Sequence, residues 1–205
     1  QDVGGADRPM SDAHLSHVSY VCPNESELAR LTGMPTASFE ACVAAAKALQ
    51  SRGAAAVLVT LGERGSFLLT PEGEVIEQGT CPVPGGRMID ETGAGDAFRA
   101  AFAVALVEGR SPADSLRLAA AAGALAVSVK GAEPSLPSRT DVETLASSGQ
   151  CEANVKAMPP TPAKPPAPAT GAAAAADGKA AASKRPPTVH GPRDGFPLQF
   201  ASRLN

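Results

Sequence analysis

Tryptophan is absent from this 205-residue chain, tyrosine occurs once and phenylalanine six times. Any core must therefore be built from aliphatic side chains and alanine. No apolar run approaches the ~18 residues of a membrane-crossing helix. Neither charge dominates: 18 Lys and Arg against 21 Asp and Glu give a net charge of -3, which excludes a whole-chain basic field of the kind that holds nucleic acid. Cys22, Cys42, Cys81 and Cys151 form no C-x-x-C pair, so neither a zinc module nor a disulfide scaffold is expected, and the spacing fits a reducing compartment. A cytoplasmic site follows, or an organelle if an address peptide precedes Gln1; the first residues lack the basic start and apolar stretch of a signal peptide. The glycine-rich phosphate loop G-x-x-x-x-G-K-[ST] is missing, as is G-x-G-x-x-G. His14, His17 and His190 have neither zinc nor triad spacing and read as surface residues.

What is present divides near residue 150. Residues 151–205 hold ten prolines and fourteen alanines, with seven Lys/Arg against three Asp/Glu. So few large apolar groups cannot offset the entropy of ordering, and 150–205 is expected to be a disordered tail. Residues 1–149 alternate between helix and strand signals. Helical spacing covers Glu25 to Leu31 and Phe39 to Gln50; Ala55 to Thr60 has the look of a strand buried on both faces. Ser66 to Thr70 and Glu74 to Glu77 flank Pro71-Glu72-Gly73 as a hairpin. Ala97 to Glu108 and Ala113 to Val129 are Ala-rich helical stretches, the second with Ser111 as N-cap and Pro112 at N1, and a last helix runs from Ser138 to Leu145. Interleaved strands and helices predict an α/β layered domain.

Three local motifs could carry chemistry. Asp90-Glu91-Thr92-Gly93-Ala94-Gly95-Asp96 runs into a helix, where small residues let a ligand approach free amides and the helix dipole favours an anion, above all phosphate. Asp96 beside such a site suits a base or a metal contact better than phosphate binding. The plainer reading is a tight turn with Asp96 as a helix cap. Thr60-Leu61-Gly62-Glu63-Arg64-Gly65 follows the apolar strand, at the end where open α/β sheets place ligands, or else makes an ordinary strand-to-strand turn. Asn24 and Glu27, three apart at a helix start, could hold a hydrated Mg²⁺, or simply form a capping box.

In order and spacing, Pro23-Asn24-x-x-Glu27, Thr60-Leu61-Gly62-x-x-Gly65 and Asp90-x-Thr92-Gly93-Ala94-Gly95-Asp96 together resemble the ribokinase-like (PfkB) family of sugar and nucleoside kinases. Lys130-Gly131-Ala132-Glu133-Pro134-Ser135-Leu136-Pro137 looks like the ribokinase and fructokinase branch. The resemblance implies the carboxyl-terminal part of a ribokinase-like layered fold, a central, mostly parallel sheet flanked by helices. It implies ATP-dependent phosphorylation of a sugar hydroxyl, with small-molecule sugar and ATP as partners and neither nucleic acid nor membrane. Asp96 would be the general base, and the amides of Gly93, Ala94 and Gly95 the anion hole for the transferring phosphoryl group. Thr60, Gly62 and Gly65 would line the nucleotide path, while Asn24 and Glu27 would organise Mg²⁺ through water. A monovalent cation, usually K⁺, would be held at Asp90, Thr92, Ala126, Val129, Gly131 and Ser135.

The departures are as specific. Glu91 stands where the family usually has Thr, Ser or Pro, and Ala120 where many members carry an Asn near the adenine. The amino half that grips the sugar, with the lid through which such kinases can form homodimers, has no counterpart here. An exposed sheet edge is the structural expectation. A chain beginning at Gln1 and matching only the carboxyl half is expected to be a fragment or a truncated gene model, or else a half-kinase that binds nucleotide without catalysis.

Overall fold

Helix starts in this chain are set by short polar side chains that satisfy the first free amides. Ser38, Ser111 and Ser138 each accept a hydrogen bond from the backbone N–H three residues on, at Ala41, Asp114 and Asp141. A computed structural model describes residues 1–4 and 10–151. Its elements are α1 (Asp12–Leu15), β1 (Tyr20–Val21), α2 (Glu25–Thr32), α3 (Phe39–Ser51), β2 (Ala56–Thr60), β3 (Ser66–Leu69), β4 (Val75–Gln78), α4 (Ala94–Val107), α5 (Pro112–Ala126) and α6 (Arg139–Ser147). Short 3₁₀ turns at Gly62–Arg64 and Pro84–Gly86 complete the path.

The strands lie in the order β1-β2-β3-β4. β1 runs parallel to β2, with Tyr20 opposite Ala56; β2–β3 and β3–β4 are antiparallel, with Thr60 opposite Ser66 and Ser66 opposite Gln78. The sheet is therefore mixed, because tight turns after β2 and β3 can join only antiparallel neighbours. The outer edge of β1 is taken up by the first residues: the Gln1 ammonium donates to the Tyr20 carbonyl at 2.7 Å, and Cys22 N–H donates to the Gln1 carbonyl at 3.0 Å. The expected bare edge on that side is thus covered.

Side chains alternate across the sheet, and both faces are buried. Val57, Val59, Phe67 and Leu69 pack with Leu28 of α2 and Leu49 of α3. Ala56, Leu58 and Leu68 pack on the opposite side with Phe98 and Phe102 of α4 and Leu116 and Ala119 of α5. Helix–sheet–helix layering is the α/β architecture that the alternating signals predict. Alanine supplies the close fit between the helices. Ala119, Ala121, Ala122 and Ala126 of α5 are buried, and a Cβ at Gly123 would stand 3.9 Å from the Ala94 carbonyl and from Phe98.

Several expectations need correction. α1 and β1 escape a reading by periodicity, being four and two residues long. α4 starts at Ala94 rather than Ala97, with Gly93 as its left-handed N-cap at φ 85°. Most consequential is a disulfide between Cys81 and Cys151, 70 residues apart, where the sequence led us to expect none. It fastens the segment after β4 to the chain just beyond α6, so Cys151, counted with the tail, is buried with the helices. From residue 152 onward the expected tail lies outside the described residues.

Candidate phosphoryl-transfer site

The first two motifs meet at the carboxyl ends of β1 and β2. Thr60 N–H donates to the Pro23 carbonyl at 3.2 Å, and Asn24 and Thr60 form a parallel bridge. The first residue of α2 and the turn after β2 are tied by an ion pair between Glu25 and Arg64. Gly65 is required here: its φ is 85°, and a Cβ would lie 2.2 Å from the Gln78 carbonyl oxygen. The turn after β2 can thus sit directly against the end of β4. The third motif arrives from the other side, on the first turn of α4. There Gly93 also has φ 85°, and a Cβ on it would lie 2.9 Å from Cα of Ala132.

Between these elements lies a cleft of about 730 Å³, large enough for a nucleotide. Asn24, Thr60, Gly62 and Gly65 line one side, and Ala94 and Gly95 the other. Phe98, Ala120, Gly123 and Val127 make an apolar wall further in. Six of the nine residues expected to serve catalysis, nucleotide and Mg²⁺ therefore share one cavity. Glu27, Gly93 and Asp96 stand outside the lining.

Two of the motifs also do the plainer work considered for them, whereas in the third Gly93, not Asp96, caps the helix. Asn24 and Glu27 form a complete capping box: Asn24 Oδ1 accepts from Glu27 N–H at 2.9 Å, and Glu27 Oε2 accepts from Asn24 N–H at 2.8 Å. Gly62 to Gly65 is a strand-to-strand turn. Of the three amides in Gly93-Ala94-Gly95, that of Ala94 is already committed, donating to the Glu91 carbonyl at 3.1 Å. Gly95 and Asp96 lie in the first turn of α4, where N–H groups have no acceptor within the helix.

Asp96 is open to solvent, its side chain 70% exposed, and its Oδ1 accepts from Arg99 Nη2 at 2.8 Å. Asp90 is bound more closely. One of its oxygens accepts from the Thr92 hydroxyl at 2.7 Å and the Thr92 N–H at 3.0 Å; the other accepts from the Gly131 N–H at 2.8 Å. The Thr92 hydroxyl, then the two amides and the nearby Lys130, hold the Asp90 carboxyl down at about 2, so it stays an anion at neutral pH.

A model of the pfkB family of carbohydrate kinases matches residues 2–139. The chain belongs to that family. Ribokinase of Arabidopsis thaliana is 48% identical to it over 141 residues, which is 69% of this chain and 37% of that protein. The structure of Arabidopsis thaliana ribokinase complexed with ribose and ATP matches with a TM-score of 0.68 at 47% identity, over 71% of this chain and 46% of that one. Phosphofructokinase-2 from Escherichia coli in complex with potassium matches with a TM-score of 0.57 at 28% identity, over 66% of this chain and 43% of that one. The fold is ribokinase-like, and the chain spans less than half the length of each of these proteins.

Within this pfkB chain, the residues matched to a monovalent-cation site are drawn together in part. Asp90 joins Thr92 to Gly131, and the N–H groups of Ile89 and Asp90 donate to the Val127 carbonyl at the end of α5. The Ser135 hydroxyl instead donates to the Ala132 carbonyl at 2.8 Å, and Val129 N–H donates to the Ala126 carbonyl at 3.1 Å. Among the described residues no three His, Cys, Asp or Glu side chains cluster as metal ligands. Glu91 is exposed at the rim of the cleft, and Ala120 presents only a methyl group to it. Two features went unread in the sequence: Cys81, which lines the cleft, and Arg99, which binds the Asp96 carboxylate. Helical spacing from Asp96 could have found Arg99; nothing local marks Cys81.

Proposed function

We propose that this chain forms the nucleotide-binding and phosphoryl-transfer part of an ATP-dependent sugar kinase. The carrying observation is the convergence of Asn24, Thr60, Gly62, Gly65, Ala94 and Gly95 on one cleft that abuts the first turn of a 14-residue helix. ATP would lie with its base toward the apolar wall at Ala120 and Val127 and its phosphates toward α4. Amides of Gly93, Gly95 and Asp96 would meet the transferring phosphoryl group, where oriented donors stabilise charge as it develops. The Ala94 amide is spent within the turn. Asp96, ionised and solvent-facing, would accept the proton of the attacking sugar hydroxyl.

Mg²⁺ fits the first motif only through water, since the capping box occupies Glu27 Oε2 and Asn24 Oδ1 and leaves Glu27 Oε1 for a hydrated ion. Bound there, it would offset phosphate charge. The oxygen-only set of Asp90, Thr92, Ala126, Val129, Gly131 and Ser135 suits a hard monovalent cation such as K⁺. Asp90, anionic and fixed between Thr92 and Gly131, supports that assignment. The ribose and ATP named for the Arabidopsis structure, and the potassium named for the Escherichia coli one, agree with this reading.

Nucleotide binding without transfer is a second reading, favoured by Asp96 lying outside the cleft lining with its carboxylate bound to Arg99. The test has two stages. ATP should bind this chain and shift the amide resonances of Gly62, Gly65, Gly95 and Asp96; a footprint elsewhere would overturn the assignment. In a chain extended by a sugar-binding amino half and given a panel of pentoses and hexoses, sugar phosphate forming in the parent and not in Asp96→Ala would support the kinase, and ATP binding with no transfer to any sugar would favour the second reading.

A further inference from the structure

Arg99 sits four residues after Gly95, yet its guanidinium folds back beside the start of α4. Both terminal nitrogens lie 3.5 Å from the position a Cβ would take on Gly95. Helical side chains lean toward the N-terminus, which makes this reach natural. Electrostatically it is the wrong end, because the first turn already carries the positive pole of the helix dipole. Anions must compensate, and two do. Asp96 Oδ1 accepts from Nη2 at 2.8 Å, and Asp2 Oδ1 lies 3.3 Å from Nη1. Asp2 comes from a different part of the chain, held beside β1 by its bridge to Cys22. The Arg99 side chain is 22% exposed, so the guanidinium is fixed from two directions rather than swinging in solvent.

We infer that Arg99 is the counter-charge and positioning residue that lets an ionised Asp96 and a nucleotide's terminal phosphate share the first turn of α4. The inference rests on the nucleotide reading above and names a residue that reading does not require. A base must be ionised to accept a proton, and ionised Asp96 repels an arriving phosphate, itself an anion. Arg99 cancels that repulsion, while its bond to Oδ1 leaves Oδ2 to receive the hydroxyl proton. An ordinary i,i+3 surface pair would have no such effect on ligand charge.

The experiment is calorimetric titration of this chain with ATP and with AMP, for the parent, Arg99→Met, Arg99→Lys, Asp96→Asn and the double variant Arg99→Met/Asp96→Asn. Arg99→Met should weaken ATP roughly fivefold and leave AMP unchanged, the size expected for one partly exposed charge. Lysine at 99 should recover most of that loss. Asp96→Asn should tighten ATP, and the double variant should return near the parent. Raising the salt should narrow the gap between parent and Arg99→Met. A parallel loss of ATP and AMP, or a double variant as weak as Arg99→Met alone, would reduce Arg99 to a structural role and overturn the inference. A parent that binds neither nucleotide would overturn the nucleotide reading and this inference together; a parent that binds ATP with no effect of Arg99→Met overturns the inference alone. Melting curves for each variant separate unfolding from these outcomes, and Arg99→Lys keeps the test open should Arg99→Met fail to fold.

Discussion

The carboxylate of Asp90 takes a hydrogen bond from the Gly131 amide at 2.8 Å, joining segments 41 residues apart. Since Thr92 binds its other oxygen, one side chain locks the loop before α4 to the loop after α5. The folded value of about 2 lies below the ordinary 3.8. A carboxyl depressed on folding stabilises the folded state above its unfolded pKa and loses that contribution as pH falls through the folded one. Melting temperature should therefore decline between about pH 4 and pH 2 in the parent. Asp90→Asn should melt lower at neutral pH and converge on the parent near pH 2. Parallel melting curves for the two proteins across that range would contradict this account.

Gly65→Ala and Gly93→Ala should each destabilise by roughly 2 kcal/mol or more, since both combine positive φ with a Cβ pressed against backbone. Gly73→Ala shares the positive φ but has nothing within 4 Å, so it should cost less. Urea unfolding of the three variants measures the difference.

Phe98 spans two jobs. It fills the core between α4, α5 and the sheet, being 7% exposed, and it also lines the cleft. Phe98→Ala should cost about 3–5 kcal/mol in stability. Phe98→Leu should retain most of the fold and weaken ATP and AMP alike if the base lies against this wall as proposed; titration of both ligands would show it.

Cutting the Cys81–Cys151 link frees a loop of 70 residues, for which chain entropy predicts a loss of about 4 kcal/mol. Cys151→Ser, or reduction by a dithiol, should cost that much in urea unfolding and lower the melting temperature accordingly. Alkylation and mass spectrometry report whether the bond is closed in the purified protein.

How much of this could be read without a structure depended on range. Ser111-Pro112 announced α5, and the apolar run through Val57 and Val59 announced β2, because caps and periodicity are local signals. The glycines at 93 and 95 suggested a loop, yet Gly93 is the left-handed cap and Gly95 already helical, so α4 begins earlier than its apolar stripe. Asn24, Thr60 and Gly95 were recognisable by type and order. Their meeting in one cleft is set by sheet register and by the packing of α4 on α5, which no short window contains. The Cys81–Cys151 bond is the extreme case, since nothing in either neighbourhood points to the other.

The pairing of Asp2 with Arg99 has a practical side. A label or a substitution at Asp2 would act directly on a carboxylate that steadies the guanidinium beside Asp96. Handles and labels attached there would report on their own disturbance as much as on the protein.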